Sequence, residues 1–329
     1  MIRHARIKSL AKINLDLRVL AKRPDGFHDL RTVFQTISLT DTIDIEYEVS
    51  KKTIITLADD LAIPDNLIHR AAQAVMDAMK VHARVRFTLK KQIPMGAGLG
   101  GGSSNAASVL LALPVLAGRA LPLQSLGEIG AQLGSDVPFF LTGGTAIALD
   151  RGTELYDLPD LAQEPVLLVS PAVHVASGPA YIALGRSLTF TSSSSSINSF
   201  QTFVRALASG RSARVACAFS ANDFETVVFK QFPQLAKIAD RLRNLGAAGA
   251  SPFIRMTGSG STIFALFSSA EDRALAKRML DGDRVFRGCT IIEAKLVSRK
   301  GHHRMWRRQL REHLNPNEVL WPPRSRYAQ

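Results

Sequence analysis

Pro94-Met95-Gly96-Ala97-Gly98-Leu99-Gly100-Gly101-Gly102-Ser103-Ser104-Asn105-Ala106-Ala107 places five glycines in the seven positions from 96 to 102. A strand-like segment precedes it and a segment of helical periodicity follows it. Glycine reaches backbone angles closed to other residues and has no Cβ, so consecutive N–H groups can converge on an anion. The helix expected from Ser103 onward adds unpaired N–H groups and the positive end of its dipole. The stretch reads as a loop built to wrap phosphate.

Two common loop types do not fit. Gly96-Ala97-Gly98-Leu99-Gly100-Gly101 satisfies the dinucleotide spacing G-x-G-x-x-G, but that fold needs a further strand ending near an acidic residue about 20 positions on. The next acidic residue is Glu128, inside Ser125–Leu133, whose pattern is helical. No lysine precedes Ser103, so the Walker pattern fails as well. The bland alternative is a set of glycines that only permit close helix packing.

With 329 residues, 46% of them hydrophobic, the chain can bury two moderate cores, and two lobes are expected. No apolar run approaches the roughly 18 residues that span a bilayer, and Met1–Ile7 lacks a signal-peptide core. Cys217 and Cys289 are the two cysteines, far apart. They are expected as reduced, buried side chains, which points to the cytoplasm. The net charge of +13 is uneven: residues 299–329 carry eight Lys/Arg against two Asp/Glu, a net +6, and leave +7 on the much longer body. Such a body suits small anionic substrates as well as it suits a polynucleotide.

Ile13, Leu15, Leu17 and Val19 alternate with Asn14, Asp16 and Arg18, the pattern of a half-buried strand. Arg23-Pro24-Asp25-Gly26 supplies a turn. Further strands are expected at Thr42–Tyr47, Thr53–Leu57 and Val85–Leu89. Asp65-Asn66 caps a helix with Leu67, Ala71, Val75 and Met79 on one face. Thr145–Leu149 and Val166–Ser170 are expected to close the first half. Ser187–Ser199, with five serines from Ser192 to Ser196, reads as a mobile surface loop. Leu235, Ile238, Ala239, Leu242 and Leu245 describe a helix ending at Gly246. The turn Met256–Ser261 then leads into the apolar strand Thr262–Phe267. This order predicts two α+β lobes.

Three separated segments resemble the signature motifs of the GHMP small-molecule kinases: Ala11-Lys12-Ile13-Asn14-Leu15, the Pro94–Ala107 loop and the Thr257–Ser261 turn. Arg23–His28, Pro64-Asp65-Asn66-Leu67-Ile68 and Gly134–Phe140 resemble the branch of that family that acts on a cytidylyl-linked methylerythritol in the non-mevalonate isoprenoid route. The resemblance covers roughly residues 5–297. It implies an N-terminal lobe of the ribosomal-S5-domain-2-like type, taken as 1–160, and a ferredoxin-like C-terminal lobe, taken as 161–298; the basic extension over 299–329 lies beyond it. It also implies transfer of the ATP γ-phosphoryl group, with Mg²⁺, to a tertiary 2-hydroxyl. Two departures stand out: the family more often has Tyr at Phe27, and it usually lacks the basic extension.

Residue by residue, the resemblance makes Asp136 the carboxylate that accepts or orients the hydroxyl proton, Lys12 its partner and Asn14 a substrate-positioning amide. Taken alone, Asp136 is a helix N-cap and Lys12 a lysine that snorkels from a strand. Loop donors from Gly98 to Gly102 and the hydroxyls of Ser103 and Ser104 would meet the triphosphate, with Pro94, Met95, Gly96 and Ala97 lining the same loop. Asn66, Leu67 and Lys91 match positions around adenine. Phe27 and Tyr181 match a pair of rings that sandwich cytosine, worth about 1–3 kcal/mol per stacked face, and His28 matches the reader of its edge. Thr257 and Gly258 fall on the substrate's diphosphate side. Asn222–Glu225 resembles a further family segment of undefined role.

The extension, with His302-His303-Arg304-Met305-Trp306-Arg307-Arg308-Gln309-Leu310-Arg311, reads as a short basic helix. It is either solvated or docked on the body, or else it serves a polyanion. Its removal is expected to leave kinase activity largely intact. Two adjacent histidines without further ligands do not make a metal site, and neither a protein-held metal nor a nucleic-acid partner is expected.

Overall fold

The computed structural model describes residues 1–59, 63, 65–189, 193–245, 252–315 and 319–327. The alternating segment found in the sequence extends into β1 (Arg3–Lys22), which pairs antiparallel with β2 (His28–Val49). The connecting turn holds Gly26 at φ 86° with its N–H donating to Arg23 O at 3.1 Å. β3 (Ile54–Asp59), β4 (Ala83–Lys90), β5 (Thr145–Leu149) and β6 (Glu154–Asp157) complete the first sheet, in the order β3-β4-β2-β5-β6 with β1 on β2. Only β3 and β4 run parallel among these pairs, joined through α1 (Leu67–Met79).

α1 starts where the sequence places it, because Asn66 accepts a hydrogen bond from Ile68 N. α2 (Gly101–Ala117) begins two residues before the expected Ser103, with Gly100 at its N-cap in the left-handed region, φ 70°. It is buried nearly all round from Ser104 to Leu116, as suits a helix enclosed by others rather than an amphipathic one. α3 (Leu123–Leu133) and α4 (Val137–Thr142) complete this layer. Its core joins Ile7, Ile43, Ile45 and Phe87 of the sheet to Val75, Val109, Leu113 and Phe139 of the helices.

The second sheet is antiparallel throughout, with β7 (Pro165–Pro171), β8 (Phe253–Met256), β9 (Ile263–Leu266) and β10 (Cys289–Lys295) in the order β10-β7-β9-β8. Between β7 and β8 lie α5 (Ser177–Ala183), α6 (Ser194–Ala208), α7 (Ala213–Ala216), α8 (Glu225–Gln231) and α9 (Pro233–Arg243). α10 (Ala270–Leu280) connects β9 to β10. This is the ferredoxin-like strand and helix alternation. α11 (Arg299–Leu310) follows. Among the described residues no helix is long and apolar enough to cross a membrane.

Several expectations are corrected. β1 is not half-buried: Asn14, Asp16 and Arg18 are 1%, 0% and 3% exposed, because the second lobe covers the strand's polar face. Asp16 and Arg18 pair there at 3.0 Å, and Asp16 also accepts from Ala221 N. Val166–Ser170, expected to close the first half, instead opens the second sheet as part of β7. Residues 190–192 of the expected loop lie outside the described residues, but its later serines start a helix: Ser193 caps α6 by accepting from Ser196 N, and Phe200 and Phe203 anchor the helix in the core. Cys217 is buried but Cys289 only partly so, at the start of β10; both are free thiols. Gly246, expected as a helix end, and Pro64 lie outside the described residues.

The basic extension is docked. Trp306 and Leu310 are 2% and 0% exposed and belong to the same core as Phe139.

Candidate active site

The glycine loop lines a cavity of about 370 Å³ through an unbroken run, Pro94 to Ser103, with Asn66, Leu67 and Lys91 across from it. Gly96, Gly98 and Gly100 sit at φ 63°, 77° and 70°, angles that fold the chain back over the N-terminus of α2. The second lobe presses on the loop at Gly98, where a Cβ would lie 2.2 Å from Thr257 O. Ser104 stands outside the cavity lining, buried in α2, with its N–H on Gly100 O at 2.9 Å.

A second cavity of about 210 Å³ lies on the other side of the loop and shares Gly98 and Gly100 with the first. Lys12, Asn14, Asp136, Tyr181 and Gly258 are in its wall. Lys12 does not snorkel. It is 3% exposed, donates from Nζ to Asn14 Oδ1 at 2.7 Å, and reaches Asp136 Oδ2 at 3.5 Å. Burial is the larger effect on its ammonium and pulls the pKa below the ordinary lysine value, against the attraction of Asp136. Asp136 occupies the N-cap position of α4 yet makes no capping hydrogen bond. Its carboxylate faces Lys12 instead.

Asn14 ties the two lobes together at this point. Its N–H donates to Thr257 Oγ1 at 3.0 Å, its Oδ1 accepts from Gly258 N at 3.0 Å, and its Nδ2 donates to Thr32 Oγ1 at 2.8 Å. Thr257 Oγ1 in turn lies 3.2 Å from Gly98 O. The Thr257–Ser261 turn is held from behind by Asn222, whose Nδ2 donates to Met256 O at 2.7 Å and Gly258 O at 2.9 Å. That gives the Asn222 segment a structural role the sequence did not define.

Asp41 was not singled out in the sequence. Fully buried, it accepts from Gln92 N and Ile93 N at 2.8 Å each, from Asn105 Nδ2 at 3.0 Å and from Lys91 Nζ. One carboxylate thus fixes both the entry to the glycine loop and the helix that leaves it. Lys91 is therefore a paired cation rather than a solvated one. Nothing in the strand marked it out, since β2 also carries Asp29, Asp44, Glu46 and Glu48; its burial and its four donors appear only in the fold.

The expected aromatic set is only partly assembled. His28 stacks on Tyr181 at 4.9 Å between centroids, and Tyr181 packs edge-on against Phe224. Phe27 is 52% exposed on the turn, with the Arg151 guanidinium 4.9 Å from its ring centre. Neither Phe27 nor His28 is in the wall of the second cavity. Burial lowers the His28 pKa, helped by Lys22 and Arg186, and burial raises that of Tyr181 to about 12.

A two-lobed fold with a glycine loop on a helix N-terminus and a lysine–aspartate pair at the lobe junction defines a small-molecule kinase. The model described as GHMP kinases N terminal domain matches residues 66–144, and that of GHMP kinases C terminal matches 203–283. The chain is 51% identical over 329 residues to the 4-diphosphocytidyl-2-C-methyl-D-erythritol kinase of Solibacter usitatus, covering 99% of this chain and 98% of that one. It is 37% identical over 269 residues to the enzyme of the same name from Geobacter metallireducens, covering 81% of this chain and 90% of that one. A crystal structure of a 4-(cytidine 5'-diphospho)-2C-methyl-D-erythritol kinase superposes with TM-score 0.71 at 32% identity, over 88% of this chain and 98% of that one. Homoserine kinase from Cytophaga hutchinsonii shares the fold, with TM-score 0.68 at 17% identity over 90% of this chain and 95% of that one. The chain belongs to the GHMP kinases, and within them to the family of these 4-diphosphocytidyl-2-C-methyl-D-erythritol kinases. The Solibacter match runs through the basic extension, which therefore has a counterpart in that relative.

Proposed function

We propose that this chain transfers the γ-phosphoryl group of ATP to the 2-hydroxyl of 4-diphosphocytidyl-2-C-methyl-D-erythritol, a step of isoprenoid precursor synthesis. The observation that carries the reading is the Lys12–Asp136 pair, set in the wall of a cavity that shares Gly98 and Gly100 with the loop-lined one. A phosphate held in the first is then within reach of an alcohol held in the second.

In this reading the loop N–H groups and the N-terminus of α2 hold the β- and γ-phosphates, and Asn66, Leu67 and Lys91 flank the adenine. Asp136 accepts the proton of the 2-hydroxyl as its oxygen attacks the γ-phosphorus; the bond to the β,γ-bridging oxygen breaks and ADP leaves. Asn14 fixes Lys12, and Lys12 neutralises charge at the attacking oxygen. Gly258, in the cavity wall, faces the substrate diphosphate, while Thr257, expected beside it, is fully buried and braces the turn through Asn14 and Gly98. Phe27 and Tyr181 offer ring faces to cytosine and His28 reads its edge, the base taking the place of His28 on Tyr181.

Among the described residues no cluster of three or more His, Cys, Asp or Glu is arranged to hold a metal. Mg²⁺ binds largely through substrate phosphates and its own waters, with one or two protein oxygens, and needs no such cluster. The Ser103 hydroxyl, in the wall of the loop-lined cavity, is the group that would help hold it, and it would neutralise charge on the β- and γ-phosphates.

ATP consumption against the cytidylyl substrate, methylerythritol phosphate, homoserine and mevalonate tests the reading. Turnover confined to the cytidylyl alcohol is expected. Equal turnover without the cytidylyl group would overturn the assignment of Phe27, His28 and Tyr181.

A further inference from the structure

The C-terminal extension is built onto the far end of the short helix that carries Asp136. α4 spans six residues, with Asp136 at its N-cap. The last carbonyls of any helix lack intrahelical partners. One of them, Leu141 O, receives the Trp321 Nε1–H at 3.0 Å. The two residues that follow α4 are Gly143 and Gly144, at φ 63° and 78°, and the extension closes tightly on both. A Cβ on Gly143 would lie 2.4 Å from His302 Nδ1, and one on Gly144 would lie 2.7 Å from Arg299 Cβ. Arg299 also donates to Thr145 O at 2.8 Å and pairs with Asp157 at 2.8 Å, locking the start of α11 to the strands after α4. Trp321 itself is held by a face-to-face stack on His303, 3.7 Å between centroids.

The other end of α4 has no comparable anchor in its own side chain. Asp136 makes no bond to the helix it caps, and its ionic partner, Lys12, stands at 3.5 Å. The position of the carboxylate therefore follows the position of the α4 backbone. We propose that the extension is a strut that sets Asp136 through α4, and that Trp321 is its positioning residue. The proposal rests on Asp136 being the proton acceptor of the reaction.

Trp321→Phe keeps an aromatic ring and removes the N–H. We expect kcat to fall about tenfold, the scale set by a slightly misplaced catalytic group, with KM for ATP and for the alcohol changed less than about twofold. In an Asp136→Asn background, single-turnover measurement should show no further loss from Trp321→Phe, because the two act on one step. Unchanged kcat in folded Trp321→Phe, or the same fractional loss in the Asp136→Asn background, would overturn the strut. Full activity in Asp136→Asn alone would instead overturn the reading beneath it. Should Trp321→Phe fail to fold, His303→Leu removes the ring stacked on Trp321 and is held to the same outcomes.

Discussion

The Asp136 carboxylate stands 3.5 Å from Lys12 Nζ and forgoes the capping bond that its place at the head of α4 would allow. An aspartate at that position ordinarily satisfies a backbone N–H, which contributes about 1 kcal/mol of stability. Here the side chain is turned away from its helix, toward a lysine on β1 of the same lobe that Asn14 has already fixed. The orientation serves the ion pair and not the helix cap.

Because burial holds the Lys12 ammonium below the ordinary lysine value of 10.5, its charge is lost at a lower pH than that of a surface lysine. In the proposed mechanism the protonated form neutralises charge at the attacking oxygen, so kcat should fall as pH rises through that lowered value. Lys12→Arg stays charged throughout. Whatever activity it retains should lack this alkaline limb, and a limb unchanged in the arginine variant would assign it to another group.

Gly102 separates nucleotide binding from folding. A Cβ there would meet only Leu67 Cδ1, at 3.8 Å, on the wall of the loop-lined cavity. Gly102→Ala should leave the thermal midpoint unchanged or raise it, since alanine favours a helix over glycine by about 1 kcal/mol. ATP affinity, read by calorimetric titration, should drop about tenfold because the methyl intrudes where phosphate approaches the backbone. Gly100 is the poorer probe, as a Cβ at φ 70° would strike Phe140 at 2.9 Å.

The extension makes the fold acid-sensitive. Burial drives the pKa of His302 from 6.5 to about 3, and among the described residues neither of its ring nitrogens has a hydrogen-bond partner. Unfolded His302 takes up a proton near pH 6.5 whereas the folded residue does not until about 3, so the unfolded state binds more protons in that window. Stability should fall as pH drops below 6.5, by about 1.4 kcal/mol per pH unit from this residue. Urea unfolding between pH 7.5 and 5 measures it. His302→Gln, which never charges, should remove its share of that slope and leave the share of His303, whose pKa burial lowers to about 4; an equal slope in the variant would show that His302 does not contribute.

The glycine loop, the Ala11–Leu15 strand and the Thr257 turn were legible because each depends on local chemistry: glycine angles, alternation and turn residues. What was hidden depends on distant partners. The four donors on Asp41 come from Lys91, Gln92, Ile93 and Asn105, which only the fold brings to β2. The polar face of β1 reads as solvated until Ala221, Thr257 and Ser196 cover it. Five serines read as disorder by composition, yet Phe200 and Phe203 behind them supply the burial that holds α6. Charge masked the docking of the extension, although His302, Trp306 and Leu310 recur every four residues and form its buried stripe.

Asp136→Asn tests the central claim most directly, because the amide keeps the shape of the carboxylate and is a far poorer base. ATP affinity by calorimetry and kcat with the cytidylyl alcohol should be measured on the same folded protein. The account predicts ATP affinity within about twofold of the wild type and kcat reduced by about a hundredfold or more. Near-normal kcat in that variant would contradict it and remove Asp136 from the chemistry.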